Sequence, residues 1–158
     1  MHRTFNTFPR LCNYNRMKIR KAQLSDSTAI QTLLKQLDYP DTEPFLLTKL
    51  ERMLIDPNEV MLVCELDSEV VAFISIHFIP QIALPGDFAR ISYFAVKEAT
   101  RGKGIGAEME EYITALAKEK KCDRIEVHCH SRRSDAHRFY LRQGFKEAPK
   151  YFIKPLKK

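Results

Sequence analysis

Three glycines at every second position form the segment of this chain that is best suited to bind a charged group. They lie in Arg101-Gly102-Lys103-Gly104-Ile105-Gly106, which follows an apolar run and opens a helical pattern. Glycine has no Cβ, so another molecule can approach its backbone closely. The free amides and the positive end of a helix dipole attract an anion, and Arg101 and Lys103 add positive charge. The segment predicts either a phosphate-binding loop or a tight turn between a strand and a helix.

The spacing of the glycines excludes the two commonest nucleotide-binding motifs. The sequence contains no Gly-x-x-x-x-Gly-Lys-Ser/Thr string, which a P-loop requires. Gly102, Gly104 and Gly106 are one residue too closely spaced for the Gly-x-Gly-x-x-Gly dinucleotide fingerprint. A phosphate site here would therefore belong to another class of protein.

Histidine and cysteine residues do not predict a metal site. His128 and His130 would point to the same side of a strand, but two ligands are too few for a structural metal. The four cysteines lie at positions 12, 64, 122 and 129 and form no Cys-x-x-Cys pair. We interpret them as reduced, largely buried thiols of a cytoplasmic protein, and we expect no metal.

Hydrophobic periodicity predicts the elements that position the glycine segment. Seven runs are predicted as strands, at residues 17–22, 60–66, 70–76, 89–96, 123–128, 145–148 and 151–155. One helix is capped by Ser25 or Asp26 and a second helix ends before Pro57. A third runs from the glycine segment to about Lys121, and a fourth is capped at Ser134 or Asp135 and ends at Gly144. This order predicts an α/β fold with a mixed sheet of about seven strands flanked by helices.

Length and composition place the chain among globular proteins. It has 158 residues, of which 44% are hydrophobic and 29% charged, and its net charge of +6 favours anionic partners. No stretch approaches the roughly 20 apolar residues that cross a bilayer, so we expect no membrane association. Residues 1–16 are predicted to be a disordered basic extension, and residues 17–158 a single domain.

A second string, Ala136-His137-Arg138-Phe139-Tyr140-Leu141-Arg142-Gln143-Gly144-Phe145, gives the glycine segment its context. Together the two strings resemble the Gln/Arg-x-x-Gly-x-Gly/Ala loop and the Ala-x-x-Phe-Tyr-x-x-x-Gly-Phe helix of the GNAT superfamily of acyl-CoA-dependent N-acyltransferases. The resemblance covers residues 17–156, since the order of elements also agrees. It implies a mostly antiparallel sheet that is splayed between strands four and five, and a single N-acetyltransferase domain over residues 17–158.

The resemblance also implies a co-substrate, acetyl-CoA, and a direct attack by the acceptor amine on its thioester. The glycine segment would hold the diphosphate, strand four would pair with the pantetheine arm, and Tyr140 would act as general acid for the departing thiolate. The residues implied to bind the co-substrate are Phe94, Ala95, Val96, Arg101, Gly102, Lys103, Gly104, Ile105, Gly106, Ala107 and Arg133.

The sequence departs from the family pattern at two places. Many members carry a Glu or Asp in strand four that helps to remove the amine proton, whereas Ser92 and Tyr93 stand there in this chain. A water chain ending at Asp87, His77 or Glu65 is an alternative route, and the sequence does not choose among these three residues. Arg133 replaces an Asn that contacts coenzyme A in many members, and it could bind a phosphate instead.

The leading interpretation is an N-acetyltransferase that acts on a small-molecule or peptide amine. The alternative is a binding module of the same fold that holds coenzyme A or nucleic acid without turnover. Among acceptors, the segment from Arg133 is similar to aminoalkylphosphonate N-acetyltransferases and less so to aminoglycoside acetylating enzymes. Nucleic acid is not the expected partner, and an apolar loop with Ile82, Leu84 and Phe88 indicates a homodimer. Met109, Tyr112, Ile113 and Phe139 are predicted to be core residues.

Overall fold

A five-stranded sheet forms the centre of the protein, which we describe from a computed structural model over residues 17–148 and 152–156. The predicted extension of residues 1–16 lies outside the described residues. The strands are β1 (Met17–Lys21), β2 (Glu59–Leu66), β3 (Glu69–Ile79), β4 (Phe88–Val96) and β5 (Arg124–Val127). They lie in the sheet in chain order, with β1 to β4 antiparallel and β5 parallel to β4. The predicted mixed, mostly antiparallel sheet is confirmed.

The helices follow the predicted order. They are α1 (Ser27–Gln36), α2 (Glu43–Leu54), α3 (Ile105–Glu119) and α4 (Ser134–Arg142), with short 3₁₀ turns at Leu24–Asp26 and Glu98–Thr100. The apolar stripes of α1 and α2 pack on one face of the sheet, because a helix with one apolar face must bury it against another element. The core that they share with β2 to β4 includes the buried residues Ile30, Leu33, Leu34, Leu50, Met61, Val63, Phe73 and Ala95.

Helix α3 packs against β3, β4 and β5 through a stripe of buried residues. Ile105, Met109, Ile113 and Ala117 recur every four residues and are buried, as the helical periodicity predicts. Tyr112 was expected in this core, but its side chain is exposed. The correction has a geometric cause, because Tyr112 lies about 100° around the helix from Ile113 and so faces away from the sheet.

The sheet has five strands and not about seven, among the residues that the structure describes. Residues 145–148 and 152–155 form no strand, and Tyr151 lies outside the described residues. Both runs are short, and Pro149 and Pro155 border or interrupt them. Proline has no amide hydrogen to donate to a ladder, so an apolar run beside it is weak evidence for a strand.

The chain divides into two compact units between Val127 and His128. The first unit contains the sheet and α1 to α3, and the second contains α4 and the residues that follow it. In the second unit, α4 begins at Ser134 with Arg133 at the N-cap, one residue before the predicted caps. Its end is as predicted, because Gly144 takes a left-handed φ of 86° just after the helix.

Candidate active site

The glycine segment adopts the backbone conformation that only glycine takes without strain. Gly102 has a φ of 79° and Gly104 a φ of 82°, both in the left-handed region. Gly104 is the N-cap of α3, and a Cβ added to either glycine would meet no other atom within 4 Å. The glycines therefore turn the chain into the helix and leave open space beside the backbone. This observation favours a ligand-binding loop over a turn in which glycine only allows tight packing.

The start of α3 presents amides that the helix itself cannot satisfy. Ile105, Gly106 and Ala107 are its first three residues, and the amides at this position have no acceptor one turn earlier. No side chain caps them, and the first amide to bond back is that of Glu108, which donates to the Gly104 carbonyl oxygen at 3.1 Å. The positive end of the helix dipole adds to these donors, so an anion is favoured here.

Arg101 links this loop to the end of β4. Its Nε donates a hydrogen bond to the carbonyl oxygen of Val96 at 3.1 Å. That contact uses one of the two lone pairs of the Val96 carbonyl, which is among the main-chain groups predicted to pair with the pantetheine arm. The remaining guanidinium nitrogens of Arg101 keep their charge beside the open loop, because an arginine side chain is always protonated.

Strands β4 and β5 pair over only part of their length. The parallel ladder joins Phe88–Ile91 to Arg124–Val127, and β4 continues to Val96 beyond its end. Residues 92–96, which include the predicted pantetheine-binding residues Phe94, Ala95 and Val96, therefore lie past the last β5 pair. A strand segment beyond the end of its ladder is where an extended ligand arm can add as a further strand.

A β-bulge lies where the ladder to β5 ends. Ser75 of β3 pairs with Tyr93 and Ile76 pairs with Ile91, so Ser92 is an extra residue of β4. Bulges re-aim side chains and are common beside active sites, and both Ser92 and Tyr93 are exposed. The Tyr93 ring meets Tyr39, from the α1–α2 connection, edge to face at 5.3 Å. Burial, and then Tyr39, raise the pKa of Tyr93, so this phenol stays protonated and is no base at neutral pH.

A row of polar residues crosses the sheet beside the bulge. Cross-strand partners share a face of a sheet, and the register pairs Glu59 with His77, His77 with Arg90, and Arg90 with Glu126. Glu59 Oε2 lies 2.9 Å from His77 Nδ1, and Arg90 donates to Glu126 Oε2 at 3.1 Å. Phe73, four residues before His77 on β3, and its partner Ala95 on β4 present the same face to α1 and α2.

Two guanidinium groups share one carboxylate at the β5 end of this row. Arg124 Nε donates to Glu126 Oε1 at 2.8 Å, opposite the contact from Arg90. Burial raises the pKa of Glu126, but the hydrogen bonds from Arg90 and Arg124 outweigh it and hold the pKa below its usual value. Glu126 is therefore ionised, and the cluster carries an excess of one positive charge. The Nε of Arg90 is buried and has no hydrogen-bond partner among the described residues.

The same cluster corrects one residue of the predicted dimer surface. Phe88 was expected to be exposed, but it is half-buried, with the guanidinium carbons of Arg90 and Arg124 at 5.4 and 5.3 Å from its ring centre. A stack of this kind covers an aromatic ring with polar groups. Ile82 and Leu84 are exposed, so those two residues of the predicted surface remain accessible.

The structure separates the three side chains that the sequence offered as proton acceptors. Glu65 is held by Arg20, whose Nε donates to it at 2.7 Å. Asp87 is exposed in the loop before β4, where its backbone carbonyl accepts from the Asp123 amide. His77 belongs to the polar row beside the bulge. Sequence reasoning missed its partner Glu59, although the polar pair Ser75 and His77 in an otherwise apolar run was a signal of a polar patch on β3.

Tyr140 and Arg133 lie in the second unit. Tyr140 packs between two rings, with Phe139 at 5.2 Å and Phe145 at 5.2 Å, both edge to face. Phe139 was predicted as a core residue, but it is only half-buried, and no other residue of α4 is fully buried either. Arg133 is the N-cap of α4, and its amide donates to the His130 carbonyl oxygen at 2.9 Å.

The histidines and cysteines show no features of a metal or nucleophile site within residues 17–148 and 152–156. The predicted fifth strand ends at Val127, so His128 and His130 follow it and do not share a strand face. No group of three or more His, Cys, Asp or Glu side chains comes together there. Cys64 is buried, and burial raises the pKa of both half-buried thiols, Cys122 and Cys129. Protonated thiols are poor nucleophiles.

Comparison with known proteins identifies the fold family. Residues 26–145 match the model of the acetyltransferase (GNAT) family, which is most of the chain and spans both units. The chain belongs to the GNAT family of acetyltransferases. The predicted family and the predicted enzyme class are thereby confirmed. In the part of this GNAT chain that the structure describes, no helix combines the length and apolar character needed to cross a membrane.

The relatives of this GNAT protein carry names that describe different activities. It is 27% identical over 144 residues to an aminoalkylphosphonate N-acetyltransferase of Salmonella typhimurium, covering 88% of this chain and 91% of that protein. A transcriptional regulator from Bacillus halodurans superposes with a TM-score of 0.81 at 23% identity, covering 89% and 99% of the two chains. Glucosamine-6-phosphate N-acetyltransferase from Arabidopsis thaliana gives 0.76 at 22% identity, with 89% and 99% coverage. The structural likenesses show the fold, and a fold alone does not determine a substrate.

Proposed function

We propose that this protein transfers the acetyl group of acetyl-CoA to a primary amine by direct attack of the amine on the thioester. The observation that carries the proposal is the open start of α3, where Gly102 and Gly104 turn the chain and the amides of residues 105–107 lack helical acceptors. A diphosphate matches such a site in charge and in its capacity to accept several hydrogen bonds. The family match supports acetyl-CoA as the donor.

In this mechanism the co-substrate is held along β4. The pantetheine arm pairs with main-chain groups of residues 94–96, beyond the end of the β5 ladder, and the diphosphate lies against residues 101–107. Arg133 is proposed to contribute charge to a phosphate, in place of the Asn of other members. Residues 17–158 then work as one N-acetyltransferase domain, which is supported by a family match that runs through both units.

Tyr140 is proposed as the general acid. The amine nitrogen forms a bond to the thioester carbon, the carbon–sulfur bond breaks, and the phenol gives its proton to the departing thiolate. A phenol of pKa near 10 is a competent donor to a thiolate whose acid has a pKa near 8.5. The packing of Tyr140 between Phe139 and Phe145 supports the role, because rings on two sides restrict the orientation of the hydroxyl.

The acceptor is proposed to be a small primary amine that carries an anionic group. The cluster of Arg90, Arg124 and Glu126 supports this, because two guanidinium groups share one carboxylate and leave an excess positive charge. The name of the Salmonella relative, an aminoalkylphosphonate N-acetyltransferase, points to the same class. An arginine is well suited to bind a phosphonate or carboxylate, because its planar fork matches their oxygen atoms.

Thiol release from acetyl-CoA tests the proposal directly. The purified protein is assayed against an aminoalkylphosphonate, the alkylamine of the same chain length, an aminoglycoside and a peptide amine. We expect turnover, with a higher kcat/KM for the phosphonate than for the matched alkylamine. Binding of acetyl-CoA without thiol release from any amine would instead support a non-catalytic coenzyme A-binding module. Binding of nucleic acid with no affinity for acetyl-CoA would support the other alternative.

A further inference from the structure

A buried carboxylate on β2 holds the histidine of the polar row. The Glu59 side chain is only 5% exposed, and its two oxygens have different partners. Oε1 accepts a hydrogen bond from the Ser75 hydroxyl at 2.5 Å, and Oε2 lies 2.9 Å from His77 Nδ1. A buried carboxylate that is bonded at both oxygens has a fixed orientation, and it fixes the imidazole in turn.

This contact determines which ring nitrogen of His77 is available. With a carboxylate at Nδ1, the neutral ring carries its proton on that nitrogen, and the lone pair lies on Nε2. The imidazole is 39% exposed, and none of the described residues forms a hydrogen bond with Nε2. An oriented imidazole with an accessible lone pair is the arrangement that a general base requires. An ion pair that only stabilises the fold would not need to leave this nitrogen accessible.

The position of His77 places it beside the bulge of β4. It pairs with Arg90, and its neighbour two residues back, Ser75, pairs with Tyr93, so the extra residue Ser92 lies between these two pairs. Diagonal neighbours on adjacent strands are about 7–8 Å apart between Cα atoms. The imidazole therefore lies within one side-chain length of the bulge, which directly precedes the residues 94–96 that are proposed to pair with the pantetheine arm.

Other charged and titratable groups surround this face. Neighbouring strands contribute Glu59 from β2 and Arg90 and Tyr93 from β4, and the α1–α2 connection contributes Tyr39, which contacts Tyr93. Glu59 Oε2 contacts the imidazole directly, and Arg90 is the cross-strand partner of His77 on β4. Arg90 is itself paired with Glu126, and the pKa of Tyr93 is raised, so neither replaces His77 as a proton acceptor.

We propose that His77 is the catalytic base of this acetyltransferase and that Glu59 is its positioning residue, an inference that rests on the proposed function. His77 takes one proton from the acceptor ammonium at Nε2 and releases it to solvent. The neutral amine then forms the carbon–nitrogen bond as the carbon–sulfur bond breaks. The nitrogen loses its second proton to solvent as the amide forms, and Tyr140, which has given its proton to the thiolate, takes one back from solvent. The base thus comes from β3 and not from β4, where Ser92 and Tyr93 stand in place of a carboxylate.

The test compares the pH profiles of kcat/KM for His77→Gln and the wild type, measured over a range of alkylamine concentrations. General-base assistance is typically worth about 10²–10⁴-fold, so at pH 7 we expect kcat/KM of His77→Gln to fall by at least about 100-fold. The loss of activity should shrink as the pH approaches the pKa of the acceptor amine, because the amine is then already deprotonated in solution. Glu59→Gln should lose less activity than His77→Gln, and its loss should depend on pH in the same way. Asp87→Asn, which removes an exposed carboxylate outside the polar row, should match the wild type.

Chemical rescue separates a base from a merely structural residue. Added imidazole should raise the activity of His77→Ala at least about tenfold. The affinity of this variant for acetyl-CoA and its melting temperature should stay close to those of the wild type. An active wild type with an unchanged pH profile in His77→Gln would overturn this inference and leave the acetyltransferase proposal intact. A wild type that binds acetyl-CoA but acetylates no amine would overturn both.

Discussion

Tyr140 and Phe145 are joined twice across the end of α4. The Phe145 amide donates a hydrogen bond to the Tyr140 carbonyl oxygen at 3.1 Å, and the two rings meet edge to face at 5.2 Å. The Gly144 amide also bonds back, to Leu141, at 3.1 Å, so the helix ends in a Schellman motif with its usual hydrophobic contact. Neither of these contacts, which hold the backbone and the ring of Tyr140, uses its hydroxyl.

Replacing Tyr140 by phenylalanine should remove chemistry and leave packing in place. Both ring contacts persist in Tyr140→Phe, so we expect the Kd for acetyl-CoA and the melting temperature to stay near the wild-type values. Loss of a general acid should lower kcat by about 10²–10⁴-fold. Steady-state kinetics and calorimetry on the same preparation check this. Tyr112→Phe, which removes the hydroxyl of an exposed tyrosine on α3, is the control and should keep full activity. If kcat of Tyr140→Phe stays within a factor of about 3 of the wild type, well below the range for a general acid, Tyr140 is only a packing residue.

Two glycines of one loop should respond oppositely to the same added methyl group. Gly104 has a φ of 82°, so Gly104→Ala strains the backbone at a cost of about 1–2 kcal/mol. Its Cβ would also enter the open space proposed for the diphosphate, and we expect the Kd for acetyl-CoA to rise at least about tenfold, equivalent to about 1.4 kcal/mol. Gly106 lies inside α3, where alanine is favoured by about 1 kcal/mol.

Gly106→Ala is therefore the matched control for the loop. It should raise stability and leave the affinity for acetyl-CoA little changed, whereas raised salt should weaken binding to both the wild type and this variant through screening of the phosphate charge. Calorimetric titration and thermal unfolding measure the two effects separately. A wild-type affinity for acetyl-CoA in Gly104→Ala would show that the diphosphate does not bind at Gly104.

Local signals in the sequence predicted the elements of the sheet and their turns. The three polar residues Asp67-Ser68-Glu69 between the predicted strands 60–66 and 70–76 indicate a hairpin turn, and Asp67 and Ser68 take the positive φ of a tight β-hairpin turn. Gly144 was read as a helix stop and is one. The prediction of two closing strands was wrong. A short apolar run forms a strand only where a neighbouring strand offers it an edge to pair with, and no local pattern reveals such an edge.

The candidate site was only half accessible to sequence reasoning. The glycine segment can be recognised from the sequence, because the residues that would bind the phosphate are consecutive. The pair Glu59 and His77 is 18 residues apart and is brought together by strand register. The register shift at Ser92 was also invisible, since a bulge is a property of two strands and not of one.

An added methyl group on Gly86 should destabilise the loop before β4. The added Cβ would lie 2.4 Å from the Lys121 carbonyl oxygen. The Gly86 amide also donates a hydrogen bond to Asp123 Oδ2 at 2.9 Å, which holds the loop in place. The backbone atoms of Lys121 and Asp123 leave little room to relax, so Gly86→Ala should cost about 1–3 kcal/mol. At roughly 2–4 °C per kcal/mol, thermal unfolding resolves this. An unchanged melting temperature would show that the loop adapts freely.

Protonation of Asp26 should account for part of the acid sensitivity of the fold. Arg20 donates two hydrogen bonds to this buried carboxylate, both at 2.8 Å, and the Gln23 amide donates a third at 2.8 Å. Asp26, one of the two caps that the sequence predicts for α1, is the N-cap residue, but its side chain forms no capping bond to this helix, because its oxygens accept from Arg20 and Gln23. The hydrogen bonds from Arg20 lower the pKa of Asp26 against the opposing effect of burial.

The sign of the pH effect follows from that shift. A carboxyl group whose pKa is lower in the folded state stabilises the fold at any pH above its unfolded pKa of about 3.9, and the contribution is lost as the pH falls through the folded value. Asp26→Asn should therefore cost about 2 kcal/mol at pH 7, typical of hydrogen bonds to a charged group, and the gap from the wild type should narrow below about pH 4. Urea unfolding between pH 7 and pH 3 measures the gap. Asp135→Asn, which removes an exposed carboxylate paired with Arg138, should change stability by less than about 0.5 kcal/mol at every pH. A gap for Asp26→Asn that stays constant down to pH 3 would mean that its charge contributes nothing to stability.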